Sequence, residues 1–186
     1  MDSKEKVKGI IEQFLEEIKK EATENISNYI KESAQRVADL WLDKLLDGYK
    51  KDPKRIIREG RIIFNSDQVE IISIKDIKFF SFCPHHLIPY VGSVDIYYIP
   101  ERYIIGFSKF IEVVDSFAHR FVLQEELAES IAKAIYEYLP AKSVLCKLSS
   151  VQLCQVINNN SRVSEIKTMA IFGEEDFKSL LLNYTK

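Results

Sequence analysis

The order of hydrophobic periodicities along the chain is the feature that most restricts its fold. Apolar residues recur at helical spacing through the first 46 residues and then change, from about residue 69, to strand-like runs rich in Ile, Val, Tyr and Phe. Helical spacing returns between residues 110 and 138, and two further strand patterns follow. This order predicts an α+β fold in which an antiparallel four-stranded sheet carries two helices on one face, with additional N-terminal helices.

The change of pattern also predicts two domains, an N-terminal helical lobe over 1–55 and a second domain over 56–186. The lobe is expected to hold one helix in its first twenty residues and another from about Asn28 to Leu46, ended by the Gly and Pro of Gly48–Pro53. Strands are predicted at 69–80, 87–99 and 103–109, forming an antiparallel meander, and at 143–156 and 165–172. Because such a sheet has two open edges, an oligomer joined through strand edges is a plausible way to cover them.

Composition and charge exclude several classes of protein. The formal net charge of -2 and the lack of any basic run argue against a nucleic-acid partner. The N-terminus is charged, and no segment approaches the roughly 20 apolar residues of a membrane span, so we expect a cytoplasmic protein with no membrane partner. Three cysteines do not form a disulfide framework, which favours reduced thiols or metal ligands.

The stretch FCPHHLIPY, Phe82–Tyr90, contains the first candidate site. Cys83 and His86 are three positions apart, and a thiolate together with an imidazole prefers zinc among the common metals. On an extended backbone adjacent side chains point to opposite sides, so His85 would be left for another role. The alternative is that Cys83 is a small buried apolar residue and that both histidines are ordinary surface residues, because so short a motif often occurs by chance.

A third zinc ligand has two candidates in the predicted strand 143–156. Cys146 and Cys154 are separated by eight residues, or roughly 26 Å of strand, so one metal ion cannot reach both. Cys146 lies among apolar residues and reads as part of the core, whereas Cys154 shares a strand face with Gln152. If Cys154 joins Cys83 and His86, the site has three protein ligands and an open position, as catalytic zinc sites do.

A second cluster lies in Phe121–Leu127, where Gln124 and Glu125 open a predicted helix. Carboxylates near a helix N-terminus commonly serve only as caps and as partners of the helix dipole. A buried Glu beside a Gln can also read the donor edge of a guanine-like ring. The pattern leaves both interpretations open.

Taken in order, these motifs resemble those of the GTP cyclohydrolase I family from about Ser33 to Phe172. The similar stretches are SAQRVADLWLDKLLDGYKKDP, the segment around CPHH, IIGFSK, AHRFVLQEEL and Val151–Cys154. The resemblance implies a tunnelling fold, in which subunit sheets join edge to edge into a barrel, usually in a homodecamer with active sites between subunits. It also implies roles for individual residues: zinc held by Cys83, His86 and Cys154, proton transfer assisted by His85, guanine held by Gln124 and Glu125, and ribose and phosphates near Ser108 and Lys109.

The family's chemistry is a zinc-dependent hydrolysis in pterin and tetrahydrofolate biosynthesis. It opens the imidazole ring of the guanine of GTP, releases formate and gives 7,8-dihydroneopterin triphosphate. The resemblance therefore implies a hydrolase that uses zinc as its cofactor and binds a purine nucleotide as its substrate.

This sequence departs from the family pattern at several positions. Gln152 stands where the family has a catalytic histidine, and glutamine does not carry protons near neutral pH. Glu112 and Asp39 replace family cations, which adds repulsion toward a triphosphate, while Arg162 lies on a loop near the expected site mouth. Two alternatives stay open: a family paralogue acting on a related, less phosphorylated purine, deazapurine or pterin, and a non-catalytic zinc-containing oligomer.

Overall fold

The computed structural model of the chain describes residues 2–21, 27–65, 68, 70–158 and 164–185. Its strands are β1 Arg61–Ile63, β2 Ile72–Phe82, β3 Pro89–Pro100, β4 Tyr103–Ile105, β5 Ala141–Gln152 and β6 Glu165–Gly173. Its α-helices are α1 Ser3–Glu21, α2 Ser27–Leu40, α3 Pro53–Glu59, α4 Phe107–Ala118, α5 Gln124–Tyr138, α6 Leu153–Asn158 and α7 Glu175–Tyr184. These elements form two compact units, Met1–Asp47 and Gly48–Lys186. The division by contacts falls after Asp47, whereas the sequence patterns place the boundary after residue 55. The domain boundary at residue 55 stays a prediction.

The first unit consists of α1, α2 and a π-helical turn at Trp41–Leu45 that continues α2. Both predicted helices are therefore present. The two helices pack against each other, and Lys4 of α1 lies 3.3 Å from the Asp39 carboxylate of α2. A hydrogen bond from Gln35, followed by the Lys4 interaction, lowers the pKa of Asp39, so this carboxylate has partners within its own unit. Within the described ranges, no helix combines the length and apolarity that a membrane span requires.

The second unit is built on a four-stranded antiparallel sheet in the order β2-β3-β5-β6. Helix α5 packs on β5 and β6, and α4 packs on β2, so both helices cover one face of the sheet. The predicted α+β class is confirmed, and this is the subunit architecture expected of a tunnelling fold.

The main core lies between this sheet and the helices α4 and α5. Strand residues of one face alternate with residues of the other, so that only every second side chain enters the core. The core side chains include Val94, Ile96, Tyr98, Val144, Cys146 and Leu148 from the strands and Phe110, Val113, Leu127, Ile131 and Ile135 from the helices. Each large apolar side chain buried in this way contributes about 1.5–3 kcal/mol relative to an exposed one, so this layer accounts for most of the stabilisation.

The opposite face of the sheet carries α7, a helix that the sequence patterns did not predict. Leu181 of α7 is fully buried and packs with Tyr97, Ile99 and Leu145, which are the strand residues that alternate with the main core. The helices therefore do not all lie on one face, although α7 covers only one end of the second face.

Two predicted strands differ from the structure. The strand expected at 103–109 is limited to β4, and β4 pairs with β1 in a separate two-stranded sheet, so the predicted three-stranded meander is wrong. Gly106 ends the strand and caps α4, which begins at Phe107. The strand expected at 143–156 ends at Gln152, and the chain continues as α6. Over so few residues an apolar run fits a strand and a helix equally well.

We predict that replacing Gly92 by alanine will destabilise the protein by at least about 2 kcal/mol. A Cβ atom at Gly92 would overlap the Ser149 carbonyl oxygen and lie 2.8 Å from Ser150 Cα, so the pairing of β3 with β5 would have to shift. Gly106→Ala is the matched control, because a Cβ there meets nothing within 4 Å, and we expect a change below about 1 kcal/mol. Urea denaturation followed by circular dichroism measures both. Equal stability of the two variants would contradict the prediction.

Candidate active site

The loop between β2 and β3 presents the cysteine and the two histidines of the CPHH motif. Leu87 N donates a hydrogen bond to Cys83 O at 2.9 Å, and Cys83 N donates to Ile88 O at 3.1 Å. These bonds close a tight turn in which Leu87 has a φ of 55°. A left-handed conformation is strained for a residue with a Cβ, so the surrounding bonds must hold the turn in place.

Within this turn the buried Cys83 contacts His85. Its Sγ lies 3.7 Å from His85 Nδ1, within hydrogen-bonding distance for sulfur. The rings of His85 and His86 are 6.3 Å apart and inclined at 71°, and both histidines are exposed. Because this segment is a turn and not an extended strand, the expectation that adjacent side chains point to opposite sides does not apply to it. The assignment of His86 to zinc and of His85 to proton transfer stays a prediction.

Cys154, the third predicted ligand, lies in the first turn of α6 and is half-buried. It therefore does not share a strand face with Gln152, because β5 ends at Gln152. Within the described part of the chain, no three His, Cys, Asp or Glu side chains lie close enough together to hold a metal ion. The donor set of two thiols and an imidazole nonetheless has the chemistry that zinc prefers. Cys146 is fully buried, and burial raises the pKa of its thiol, which fits the predicted core role.

A cavity of about 150 Å³ adjoins Cys83 and brings four of the predicted site residues together. It is lined by Cys83, Tyr90, Val122, Leu123, Gln124, Glu125, Gln152 and Ile166. Among these eight residues, Glu125 carries the carboxylate, and its side chain is exposed at the first turn of α5. The cavity thus combines an apolar wall, one acceptor group with negative charge and one thiol.

Gln124 begins α5 and is only 3% exposed. Its Nε2 donates to Ile166 O at 2.9 Å and to Thr168 Oγ1 at 3.3 Å, both on β6. Its Oε1 accepts hydrogen bonds from Ser150 Oγ and, at 3.3 Å, from Gln152 Nε2, both on β5. The side chain therefore links α5 to two strands of the sheet.

Tyr90 forms the wall of the cavity between Cys83 and α5, and the sequence patterns did not identify it. Burial raises the pKa of Tyr90 to about 12, and the nearby Cys83 and Glu125 contribute to the same shift. The hydroxyl donates to Val122 O at 3.0 Å. Tyr90 therefore stays protonated near neutral pH and serves as a donor within the protein. Ser150 was also missed, although its spacing of two from Gln152 places both on one strand face.

Ser108 and Lys109 lie in the first turn of α4 and do not belong to the eight residues that line this cavity. Lys109 Nζ is 2.9 Å from both carboxylate oxygens of Glu112, one helical turn along. Its charge is thus compensated by Glu112. Arg162 lies outside the described residues.

Arg120 is the remaining cation near the start of α5. It donates from Nη2 to Gly48 O at 2.8 Å, and its guanidinium lies between the rings of Tyr49 and Phe117. Burial lowers the pKa of Arg120. These contacts give it a structural role in holding the chain before α3 against α4.

Comparison with known proteins identifies the family of the chain. A model of the GTP cyclohydrolase I family matches residues 7–180. A GTP cyclohydrolase 1 of Campylobacter lari is 35% identical over 150 residues, covering 76% of this chain and 78% of that protein. A GTP cyclohydrolase 1 of Rickettsia peacockii is 32% identical over 187 residues, covering 89% and 94% respectively. Among solved structures, an archaeosine synthase QueF-like protein in the apo form aligns with a TM-score of 0.49 and 21% identity over 58% of this chain and 98% of that chain. Because the family match spans most of the chain and both relatives exceed 30% identity, the chain belongs to the GTP cyclohydrolase I family.

Proposed function

We propose that this hydrolase opens the imidazole ring of the guanine of GTP and releases formate, giving 7,8-dihydroneopterin triphosphate. The observation that carries the proposal is the cavity that gathers Cys83, Glu125 and Gln152, three residues far apart in sequence, beside an adjacent pair of histidines. Such a cavity combines a metal-ligating group with a group that reads a heterocycle.

The cavity is of a size to hold the base rather than the whole nucleotide. Its volume of about 150 Å³ is below the roughly 300–1,000 Å³ of sites that enclose a drug-sized ligand. The Glu125 carboxylate accepts hydrogen bonds only, so it is suited to the adjacent N–H donors on the edge of a guanine ring. The ribose and phosphates would then extend out of the cavity, and the proposed residues for them are Ser108, Lys109 and Arg162.

The cofactor in this proposal is zinc, held by Cys83, His86 and Cys154. Zinc, when bound, supplies a Lewis acid that activates water. Cys83 lines the cavity and is held by the closed turn of the β2–β3 loop. Cys154 lies two residues after Gln152, which ends β5 and also lines the cavity. His85 is the proposed proton carrier, because imidazole is the side chain suited to proton transfer near neutral pH.

A second candidate function is the same reaction type on a less phosphorylated purine or a related deazapurine or pterin. The ion pair between Lys109 and Glu112 favours it, because a phosphate would have to compete with the carboxylate for the lysine. The cavity itself does not separate the two candidates, since it would hold only the ring.

The proposed assembly is a homo-oligomer, of the decameric kind that the family resemblance implies, in the cytoplasm. In the described sheet, β2 and β6 are the edge strands, and an exposed edge offers unpaired N–H and C=O groups to a second copy. A non-catalytic zinc oligomer would show the same edges but no turnover.

We predict that the zinc-loaded protein will release formate from GTP and form a pterin that is fluorescent after oxidation. GTP, guanosine monophosphate and guanosine are assayed in parallel. Glu112→Gln frees Lys109 and should lower the KM for GTP about 2- to 5-fold, as expected for a partly exposed ion pair, with no effect on guanosine. Glu175→Gln is the control: it removes the partner of Lys178 in an i,i+3 ion pair on α7, and it should change neither the KM for GTP nor the KM for guanosine. Turnover of guanosine alone by the unaltered protein would favour the second candidate function. If the unaltered protein turned over neither GTP nor guanosine monophosphate nor guanosine, that result would argue against both candidate functions.

We predict that His85→Ala will retain bound zinc but lose turnover, whereas Cys154→Ala will lose the metal. Zinc content is measured by atomic absorption after desalting, and circular dichroism confirms that each variant is folded. Cys146→Ala, in the core, is the matched cysteine control and should retain zinc. Because Cys83 Sγ lies 3.7 Å from His85 Nδ1, the opposite result is a real alternative: zinc loss in His85→Ala would make His85 the ligand.

A further inference from the structure

The hydrogen-bonding capacity of the Gln124 side chain is fully used within the protein. A primary amide offers two N–H donors and two acceptor sites on its oxygen. Both donors are directed to β6, at Ile166 O and Thr168 Oγ1, and both acceptor sites are directed to β5, at Ser150 Oγ and Gln152 Nε2. With 3% of the residue exposed, the side-chain amide of Gln124 has no hydrogen-bonding site left to offer a ligand.

The orientation of this amide is fixed by a partner that cannot change its role. The backbone carbonyl of Ile166 can only accept a hydrogen bond, so Gln124 Nε2 must face β6. Gln124 Oε1 must then face β5, where it requires donors. A flipped amide would place two carbonyl oxygens against each other, which leaves both buried acceptors unsatisfied. Ser150 Oγ donates to one acceptor site of this oxygen, and the Gln152 amide donates to the other at 3.3 Å.

We propose that Gln152 is a positioning residue that acts through Gln124. Its donor holds the first residue of α5 in place and thereby fixes the carboxylate of the next residue, Glu125, as the side chain that reads the donor edge of the bound ring. The identity of that ring rests on the proposed function. The inference removes Gln152 from proton transfer, since an amide does not ionise, and removes the Gln124 side chain from direct contact with the ligand.

The alternative is direct contact between Gln152 and the ligand, because Gln152 also lines the cavity. The two roles differ in how they depend on Gln124. A residue that touches the ligand contributes whether or not Gln124 is present, whereas a residue that acts through Gln124 loses its effect once Gln124 is replaced. A double-mutant cycle separates them.

The first measurement needs no ligand. Hydrogen exchange followed by mass spectrometry compares the zinc-loaded full chain with Gln152→Met, Gln124→Met and the double variant. We expect faster exchange at the start of α5 and across Ile166 to Thr168 in each single variant, and no further increase in the double variant. Ser150→Ala removes the other hydrogen-bond donor to Gln124 Oε1 and should also make exchange in these segments faster. Ser149→Ala, on the opposite face of the strand, should leave their exchange unchanged. Unchanged exchange in Gln152→Met would overturn the inference.

The second measurement is the dissociation constant for guanosine and for GTP, by isothermal titration calorimetry. Gln152→Met should weaken binding about 3- to 10-fold, the effect of one lost hydrogen bond, but less than about 2-fold in the Gln124→Met background. Gln152→Glu keeps the size of the side chain but faces Gln124 Oε1 with a second acceptor, so it should weaken binding more than Gln152→Met. Equal weakening by Gln152→Met in both backgrounds would overturn the inference in favour of direct contact.

The two measurements also separate this inference from the proposed function. If the unaltered protein binds neither guanosine nor GTP, the proposed function fails, and the exchange pattern alone decides whether Gln152 holds Gln124. If ligand binds and the exchange pattern is unchanged in Gln152→Met, the proposed function stands and the inference fails.

Discussion

The antiparallel register that pairs Tyr90 of β3 with Gln152 of β5 is the constraint on which the candidate site depends. It brings the end of the β2–β3 loop beside the end of β5, so that Cys83 and Gln152 line one cavity although 69 positions separate them in sequence. A shift of one residue would send Gln152 to the opposite face of the sheet. The alternating buried residues of both strands prevent that shift, because the same shift would expose the core face of β5.

Attachment of α5 to this sheet is the second requirement, and a buried polar network provides part of it. The helix packs on β5 and β6 through apolar residues such as Leu127 and Ile131, but apolar contacts fix its rotation and axial position only loosely. The Gln124 amide adds directed bonds to both strands at the point where the helix begins. A fully satisfied buried network specifies a unique arrangement. The helix end that carries Glu125 is therefore located by polar bonds and supported by apolar burial.

Periodicity in the sequence predicted β2, β3, β6, α4 and α5, and motif spacing placed Cys83, Gln124 and Glu125 near a site. These features are local, since each depends on residues within one element. The end of β5 could not be predicted, because the run through Cys154 has the composition of a strand and of a helix. The bonds of Gln124 to Ile166 and Thr168, 42 and 44 positions away, depend on the tertiary fold. The pairing of β1 with β4 joins segments about 40 residues apart and is likewise absent from any local pattern.

Two of the three departures that the family resemblance implies, those at Glu112 and Gln152, act with different strength. The Lys109–Glu112 pair is exposed by a third to a half, and solvent screens such pairs to about 1 kcal/mol or less, so Glu112 reduces attraction for a triphosphate without abolishing it. At position 152, where the resemblance implies a histidine, the effect is larger, because an amide cannot give up or accept a proton near neutral pH. Tyr90, with its pKa raised to about 12, cannot take over that role. For the proposed function, Glu112 is therefore compatible with a triphosphate substrate, whereas Gln152 leaves proton transfer to another group, for which we propose His85, in contact with Cys83.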